Sequence, residues 1–285
     1  MSTLQYAIST HLYHDAPVSR DQMVEIAAHG FDRVELFANR PHLDAGDSRV
    51  VTELEEVLRD TTLALHAVHA PVADSLTGGR WDTAFSIAHA DERARNRALQ
   101  EVEAAIALAA RLGGSLVVVH VGVPDAQHPG PAENSPAAAR RSVEHLQEVA
   151  TLAGVTLALE VMPNKLSTPE ALVRMIEDDL ELPGLGICLD LGHAHVMGDL
   201  LDAIETVSGH VVTTHVHDNN GKRDDHLLPF EGRIGWEAAL MALQKIGYDG
   251  ALVFELAASP DPRAVLERAG RVRARFEELL GAGTF

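Results

Sequence analysis

A (β/α)8 TIM barrel is the fold class that the sequence predicts, and two patterns predict it. Short apolar runs alternate with longer amphipathic or alanine-rich stretches, and this alternation repeats eight times along 285 residues. Side chains of metal-ligand type stand where six consecutive runs end. Parallel strands that helices join through right-handed crossovers close into such a barrel at this length. We therefore expect a single domain over 1–285, with a doubly wound sheet as the alternative.

The predicted strands are short apolar runs, and the clearest helices between them carry their own end signals. In chain order the strands are 4–9, 32–37, 63–69, 115–121, 155–161, 185–190, 211–217 and 250–255. Ser19 is the expected N-cap of a helix over 19–29, and the Gly113-Gly114 pair ends a helix over 92–112. A third clear helix is predicted over 262–280.

The composition disfavours several classes of protein. Lys and Arg total 23 against 42 Asp and Glu, and the formal net charge of -19 repels phosphate backbones, so we expect no nucleic-acid partner. The single Cys188 excludes an intramolecular disulfide and a cysteine-rich zinc site, so a metal would be held by His, Asp and Glu. No run approaches the roughly 18 apolar residues of a membrane span, and the opening MSTLQYAIST lacks the features of a signal peptide. We therefore expect a cytoplasmic protein without membrane contact.

The predicted strand ends carry the candidate site, because the C-terminal strand ends of a (β/α)8 barrel form its active site. In chain order these ends are His69, His120, Glu160, Asp190 with His193 just beyond, His217 and Glu255. One histidine at a strand end is more often a packed residue than a ligand, and the same holds for an isolated carboxylate. Glu160 and Glu255, however, each close an apolar run, where an unpaired charge costs several kcal/mol. The sequence therefore predicts a cation between these two carboxylates.

Alternation along a strand separates inward-facing from helix-facing histidines. His215 has the same parity as His217 but lies one layer deeper, so we interpret it as a buried supporting residue. His66 has the opposite parity to His69 and is expected to face the helices.

Two short motifs carry a resemblance to a known family. LDLGHAH at 189–195 is similar to the D-x-x-H motif of the xylose isomerase-like TIM-barrel superfamily, and HVHDNNG at 215–221 is similar to its strand-seven signature. That superfamily contains sugar isomerases, ketose 3-epimerases, inosose dehydratases and endonuclease IV, and the resemblance spans essentially the whole chain. It implies a divalent metal held by Glu160, Asp190, His217 and Glu255.

The resemblance to endonuclease IV implies further ligands. Two additional metal positions follow from it, one at His69, His120 and Glu160, the other at His193, Asp224 and His226. The alternative for Asp224 and His226 is that they cap or hydrogen-bond a loop, or orient a sugar hydroxyl. Arg223 lies where epimerase-like members place a substrate-binding arginine.

The preferred functional interpretation is a metal-dependent isomerase or epimerase of a sugar or sugar phosphate that acts through an enediolate. The resemblance to ketose 3-epimerases implies that Glu160 and Glu255 remove and return a proton on opposite faces of a small polar sugar. His193 and Arg223 would then bind substrate oxygens. The expected cofactor is a divalent ion (Mn, Mg, Co or Zn), with no nucleotide cofactor, and a homo-oligomer is left open.

Three alternatives use the same residues. An endonuclease IV-like multi-zinc phosphodiesterase would activate water and clamp a phosphate, but the acidic composition suits one small substrate better than a duplex. A dehydratase, a lyase acting on a sugar or cyclitol, would eliminate from the same enediolate. A non-catalytic metal-dependent binding protein is disfavoured by two acid/base-capable carboxylates at one metal. His11, His14 and Trp81 are expected at the barrel mouth, where Trp81 stacks on a sugar face or packs on the rim.

Overall fold

Eight parallel strands form the centre of the molecule. The computed structural model describes residues 5–77, 80–180 and 184–282. The strands are β1 (Gln5–Ser9), β2 (Arg33–Phe37), β3 (Ala64–His69), β4 (Leu116–Val119), β5 (Thr156–Glu160), β6 (Leu185–Asp190), β7 (Val211–Val216) and β8 (Ala251–Phe254). They close into a barrel in the order β1-β8-β7-β6-β5-β4-β3-β2. The predicted (β/α)8 barrel is confirmed, and each strand lies within two residues of its predicted range.

Helices follow the strands and cover the barrel from outside. They are α1 (Arg20–Ala28), α2 (Ser48–Asp60), α3 (Glu92–Arg111), α4 (Pro136–Ala153), α5 (Pro169–Arg174), α6 (Leu191–Met197), α7 (Leu200–Thr206), α8 (Trp236–Lys245) and α9 (Pro262–Ala282). Helix α5 continues as a π-helical turn over Met175–Leu180, and 3-10 turns lie at Thr10–Tyr13 and Asp125–Gln127. Between β3 and α3 a short antiparallel hairpin pairs Leu76–Thr77 with Arg80–Trp81. None of the helices in the described ranges combines the length and the apolar character that a membrane crossing requires.

The helix ends follow the capping signals of the sequence. Ser19 forms a capping box with Gln22 at the start of α1, where each side chain bonds the backbone N–H of the other residue. Asp91 caps α3 by accepting from the Ala94 N–H at 2.9 Å. The same helix ends before Gly113, whose φ of 75° continues the chain in the left-handed region that glycine tolerates.

Small side chains fill the lower barrel interior. Ala67, Val118, Ala158 and Cys188 form one buried cluster with Leu116, whereas the larger aliphatic and aromatic residues pack between the strands and the helices. Since small residues occupy the interior below the strand ends, the longer polar side chains above them can converge near the barrel axis.

A bulge between β2 and β3 turns one histidine inward. Val34 pairs with Leu65 but Glu35 pairs with Ala67, so His66 is an extra residue in the ladder. Its Nε2 lies 2.9 Å from Oγ1 of Thr213 on β7, a strand that is not adjacent to β3. The expectation that His66 faces the helices was therefore wrong, because strict alternation does not hold across a bulge.

Candidate metal centre and active site

Four buried residues from four consecutive strands, β5 to β8, form the centre of the site. Their ligand-type atoms all lie within 4.8 Å of one another, and the residues are Glu160, Asp190, His215 and Glu255. Nδ1 of His215 lies 3.5 Å from Glu160 Oε1, 3.6 Å from Asp190 Oδ2 and 3.5 Å from Glu255 Oε2. Ligand atoms that share one ion at about 2.1 Å lie roughly 3 to 3.5 Å apart, so these separations suit a common cation.

Two polar atoms at this centre support the same conclusion. Neither His215 Nδ1 nor Glu160 Oε1 has a hydrogen-bond partner among the described residues, although both are buried. Buried polar atoms are normally paired, because an unpaired one loses its hydration without compensation. Two orphaned atoms that face each other across 3.5 Å therefore fit a metal ion between them.

Glu35 fixes the orientation of the His215 ring. Its Oε2 lies 3.2 Å from His215 Nε2, and both side chains are fully buried. Because a carboxylate accepts, Nε2 carries a proton, and Nδ1 is left to face the three carboxylates. Burial alone would lower the pKa of His215, but Cys188, Glu255 and Glu35 raise it well above the ordinary value. Without a metal, a second proton on this ring compensates part of the negative charge.

His217 occupies a different place from the one that the sequence predicted for it. It follows the last residue of β7, and its Nε2 lies 3.0 Å from Asp190 Oδ1. Its ring stacks on His226 with 4.1 Å between the centroids. In the ladder between β6 and β7, Asp190 is paired with His215, so the deeper histidine joins the carboxylates. Of the predicted set Glu160, Asp190, His217 and Glu255, the structure brings the three carboxylates together around His215, while His217 contacts Asp190 from the side of His226.

A second group shares Glu160. Nε2 of His69 lies 3.1 Å from Glu160 Oε2, and Nε2 of His120 lies 3.0 Å from the same oxygen. The Nδ1 of His69 donates to the Ala70 carbonyl at 2.9 Å, so its Nε2 must gain a second proton or face a cation. Burial opposes a charge on His69, but Glu160 raises its pKa above the ordinary value.

A third group lies above Glu255, where His193, Asp224 and His226 meet. Oδ2 of Asp224 is 3.1 Å from His193 Nε2 and 3.0 Å from His226 Nε2. Each histidine donates its Nδ1 to a backbone carbonyl, that of Val161 at 3.1 Å and that of Glu255 at 2.9 Å. Burial opposes the charge on His226, but Asp224 and Glu255 raise its pKa to about 10. The structure thus brings together all of the additional ligand candidates that the sequence predicted.

A solvent-open cavity leads to these groups. Its space not occupied by protein atoms is about 600 Å³, part of which is open solvent. Glu160, Glu255 and His193 line it, and so does His11, whose Nδ1 donates to the Leu256 carbonyl at 2.9 Å. Trp81 also lines the cavity, at its edge, with its ring 6.2 Å from that of Phe37.

Arg223 is the predicted site residue that the structure does not bring to the cavity. Its side chain is 84% exposed, and its guanidinium lies 3.4 Å from Asp225 Oδ1. The turn at 217–223 carries the arginine outward, while His226 returns to the site with a φ of 45°. The expected role of Arg223 in binding substrate oxygens therefore has no structural support.

Asp218 is a residue of this region that sequence reasoning missed. Its carboxylate accepts from the Trp236 Nε1–H at 2.8 Å, from the Phe230 N–H at 2.9 Å and from the Ile234 N–H at 3.1 Å. These bonds fix the course of the loop that carries Asp224 and His226. The sequence signal for this role is the aspartate of His217-Asp218-Asn219, which directly follows a buried strand. A carboxylate that is buried there needs several hydrogen-bond donors, and the following loop can supply them.

The fold and the site together define a class of protein, a (β/α)8 barrel whose strand ends gather buried carboxylates and histidines around one cavity. The family described as xylose isomerase-like TIM barrel matches residues 23–275, and the chain belongs to this family. Among curated sequences, the uncharacterized protein MJ1311 of Methanocaldococcus jannaschii is 31% identical over 245 residues, which are 82% of this chain and 77% of that one. Another, y4fM of Sinorhizobium fredii, is 28% identical over 84% of both chains.

Solved structures share the fold over the whole length. A D-tagatose 3-epimerase-like protein superposes with a TM-score of 0.82 at 26% identity, covering 99% of this chain and 100% of that one. An L-ribulose 3-epimerase superposes with a TM-score of 0.74 at 21% identity, covering 99% and 100%. The IOLI protein with a bound zinc atom gives 0.75 at 18% identity, covering 98% and 99%. At these last two identities the likeness concerns the fold alone.

Proposed function

We propose that this protein is a metal-dependent sugar isomerase or epimerase. The observation that carries the proposal is the pair Glu160 and Glu255. Both are buried, both line the cavity, and each places an oxygen 3.5 Å from the orphaned Nδ1 of His215. A substrate that reaches this centre therefore meets two carboxylates, which is what removal and return of a proton require.

The proposed ligands of the metal are Glu160, Asp190, His215 and Glu255. Three carboxylates and one imidazole suit Mn²⁺, Mg²⁺, Co²⁺ or Zn²⁺. When bound, such an ion polarises the carbonyl of a ketose and so acidifies the neighbouring C–H.

The protein side chains carry the proton transfer. Burial raises the pKa of Glu160, but His120 and His215 hold it well below the ordinary value, so this carboxylate is ionised and able to accept a proton. Glu255, at the end of β8 three strands further along the chain, would carry a proton of its own and donate it to the same carbon from its own side of the cavity. Glu160 would then release the proton that it removed to solvent, and Glu255 would take up a new one. His193 lines the cavity with its Nδ1 held by the Val161 carbonyl, so its Nε2 would bind a substrate hydroxyl in place of its present contact with Asp224.

The comparisons support the same reaction class. The structure with a TM-score of 0.82 is that of a D-tagatose 3-epimerase-like protein, and others are an L-ribulose 3-epimerase and a D-psicose 3-epimerase with D-fructose. A small ketose is therefore the substrate that we propose. A dehydratase would use the same two carboxylates, but the enediolate would lose water instead of regaining a proton.

A multi-metal phosphodiesterase is the second candidate, and the observation that favours it is the set of three side-chain groups around His215, His69 and Asp224. The charge of the site separates the candidates. Glu160, Asp190, Asp224 and Glu255 bring four negative charges when ionised, so one divalent ion leaves the site negative and three make it positive. Only the second state attracts a phosphate ester.

Metal analysis and solvent-deuterium exchange test the proposal together. The purified, metal-loaded protein is incubated in D₂O with D-tagatose, L-ribulose and D-allulose, and the products are separated by chromatography and examined by NMR. We expect about one divalent ion per chain, an epimer or isomer of at least one ketose, and deuterium at the carbon that exchanged its proton. Three ions per chain, no exchange, and metal-dependent hydrolysis of bis(p-nitrophenyl) phosphate would instead establish the phosphodiesterase.

A further inference from the structure

The cavity has an apolar wall on one arc of the barrel. The wall consists of Phe37, Val72, Trp81, Phe85, Val123 and Pro124, all of which line the cavity. These residues come from the end of β2 and from the connections that follow β3 and β4, and these three strands are neighbours in the barrel. The acidic ligand candidates come instead from β5 to β8 and the loop after β7. The polar and apolar parts of the cavity are therefore separated around the barrel.

The wall extends from the metal-ligand candidates to the solvent. The ring of Phe37 lies 5.4 Å from that of His69, which contacts Glu160, and 6.2 Å from that of Trp81. Trp81 itself is 38% exposed at the edge of the cavity. A ligand whose reacting carbons lie at Glu160 and Glu255 would thus place its far end against these aromatic rings.

The wall residues themselves carry no positively charged side chain. Among the described residues that line the cavity there is no lysine or arginine. Two arginines near this arc of the barrel are paired with carboxylates: Arg40 bonds Glu101 at 2.6 Å, and Arg97, which lies 5.9 Å from the Phe85 ring, bonds Asp74 at 2.5 Å. A phosphate at the far end of a substrate would lose hydration and gain no counter-charge.

A hydroxyl group at the same place is also poorly served. Gln127 is the one amide side chain among the described lining residues, and it is exposed to solvent. A hydroxyl against the rings of Phe37 and Phe85 would give up water without a polar partner on those rings, whereas a methyl group would gain burial.

We propose that the substrate is an uncharged ketose whose end remote from the carbonyl is apolar, so that a methyl-terminated deoxyketose is preferred over the hydroxymethyl sugar and over its phosphate. This inference rests on the proposed isomerase function for the position of the carbonyl. It assigns the wall around Phe37, Trp81 and Phe85 as the determinant of the preference.

Three matched series of ligands test this assignment. Each consists of a ketohexose, its 6-deoxy form and its 6-phosphate, built on D-tagatose, D-fructose and D-allulose. Binding to the metal-loaded protein is measured by isothermal titration calorimetry, and turnover by deuterium exchange in D₂O. In at least one series the 6-deoxy form should bind about ten-fold more tightly than the parent sugar, and the 6-phosphate should bind most weakly.

Two variants locate the preference. Trp81→Gln replaces a partly exposed wall residue and should reduce the ten-fold preference to less than about two-fold. Met241→Gln, at a more exposed apolar residue on α8, should leave the preference unchanged. The assignment would be overturned if a 6-phosphate bound most tightly, if all members of every series bound equally, or if none of the nine ligands bound. An undiminished preference in Trp81→Gln would overturn it as well. Tight binding of a 6-deoxy form without proton exchange would leave the assignment standing and refute the isomerase function.

Discussion

Oε2 of Glu35 lies 3.2 Å from Nε2 of His215, inside the barrel and away from solvent. This contact decides which ring nitrogen faces the three carboxylates, and it links residues that are 180 positions apart in the sequence. Carboxylates that hold the second nitrogen of a metal-binding histidine orient the ring and increase its basicity. Glu35 is therefore expected to act on the metal through His215.

Glu35→Gln should weaken metal binding by about 10- to 100-fold, because the amide keeps the size of the side chain but removes the charge that holds Nε2–H. The measurement is competition for the metal with a chelator of known affinity. Glu101→Gln, which removes a carboxylate paired with Arg40 outside the cavity, is the matched control. Equal metal affinity in Glu35→Gln and wild type would mean that the contact has no role in the site.

Glu255→Gln should reduce proton exchange into a ketose substrate by at least about 100-fold, since the amide cannot cycle a proton. The amide retains one oxygen, so bound metal should be lost only in part. Glu237→Gln, at an exposed position on α8, should behave as wild type. Near-normal exchange in Glu255→Gln at full metal occupancy would contradict the acid/base role of this residue.

The double variant His193→Ala/His226→Ala distinguishes a site with one metal ion from a site with several. If the proposed isomerase holds a single ion at the group around His215, the variant should keep about one ion per chain and show a raised KM, because hydrogen bonds to the substrate are lost. Elemental analysis and initial-rate kinetics measure the two effects. The single-metal account fails if wild type holds two or three ions about 4 Å apart and the variant loses one of them.

The metal-free protein should lose stability as the pH rises from about 6.5 to about 10. The pKa of His226 is raised from 6.5 to about 10, mainly by Asp224 against the opposing effect of burial. Protonated His226 therefore favours the folded state fully below its unfolded pKa, and this contribution disappears as the pH passes through the folded value. Thermal unfolding at pH 6, 8 and 10 measures the trend, and His226→Gln should flatten it. A melting temperature that rises over this window would contradict the assignment.

The sequence predicted the barrel well because its signals are local. Alternating apolar runs, Ser19 as an N-cap and the Gly113-Gly114 stop all act within a few residues. Most candidate site residues were inferred from local signals of the same kind. A polar residue that ends an apolar strand of a barrel is a candidate because its side chain faces either the cavity or a helix.

The structure differs from expectation at positions that depend on how strands are paired and how loops run. The bulge that turns His66 inward is a property of the ladder between β2 and β3 and leaves no mark in either strand alone. The choice of His215 over His217 depends on the pairing of Asp190 with His215. The exposure of Arg223 depends on the path of a loop that Asp218 anchors. None of these long-range contacts can be read from alternation along one strand.

The most direct test of the account compares His215→Ala with His217→Ala, because both residues lie inside the site and only one belongs to the four-residue group. Metal content per chain is measured by elemental analysis, and proton exchange in D₂O is measured on the same samples after circular dichroism has verified folding. We predict that His215→Ala loses the metal and the exchange activity together, whereas His217→Ala retains about one ion per chain and measurable exchange. Loss of the metal in His217→Ala with full retention in His215→Ala would contradict the proposed centre.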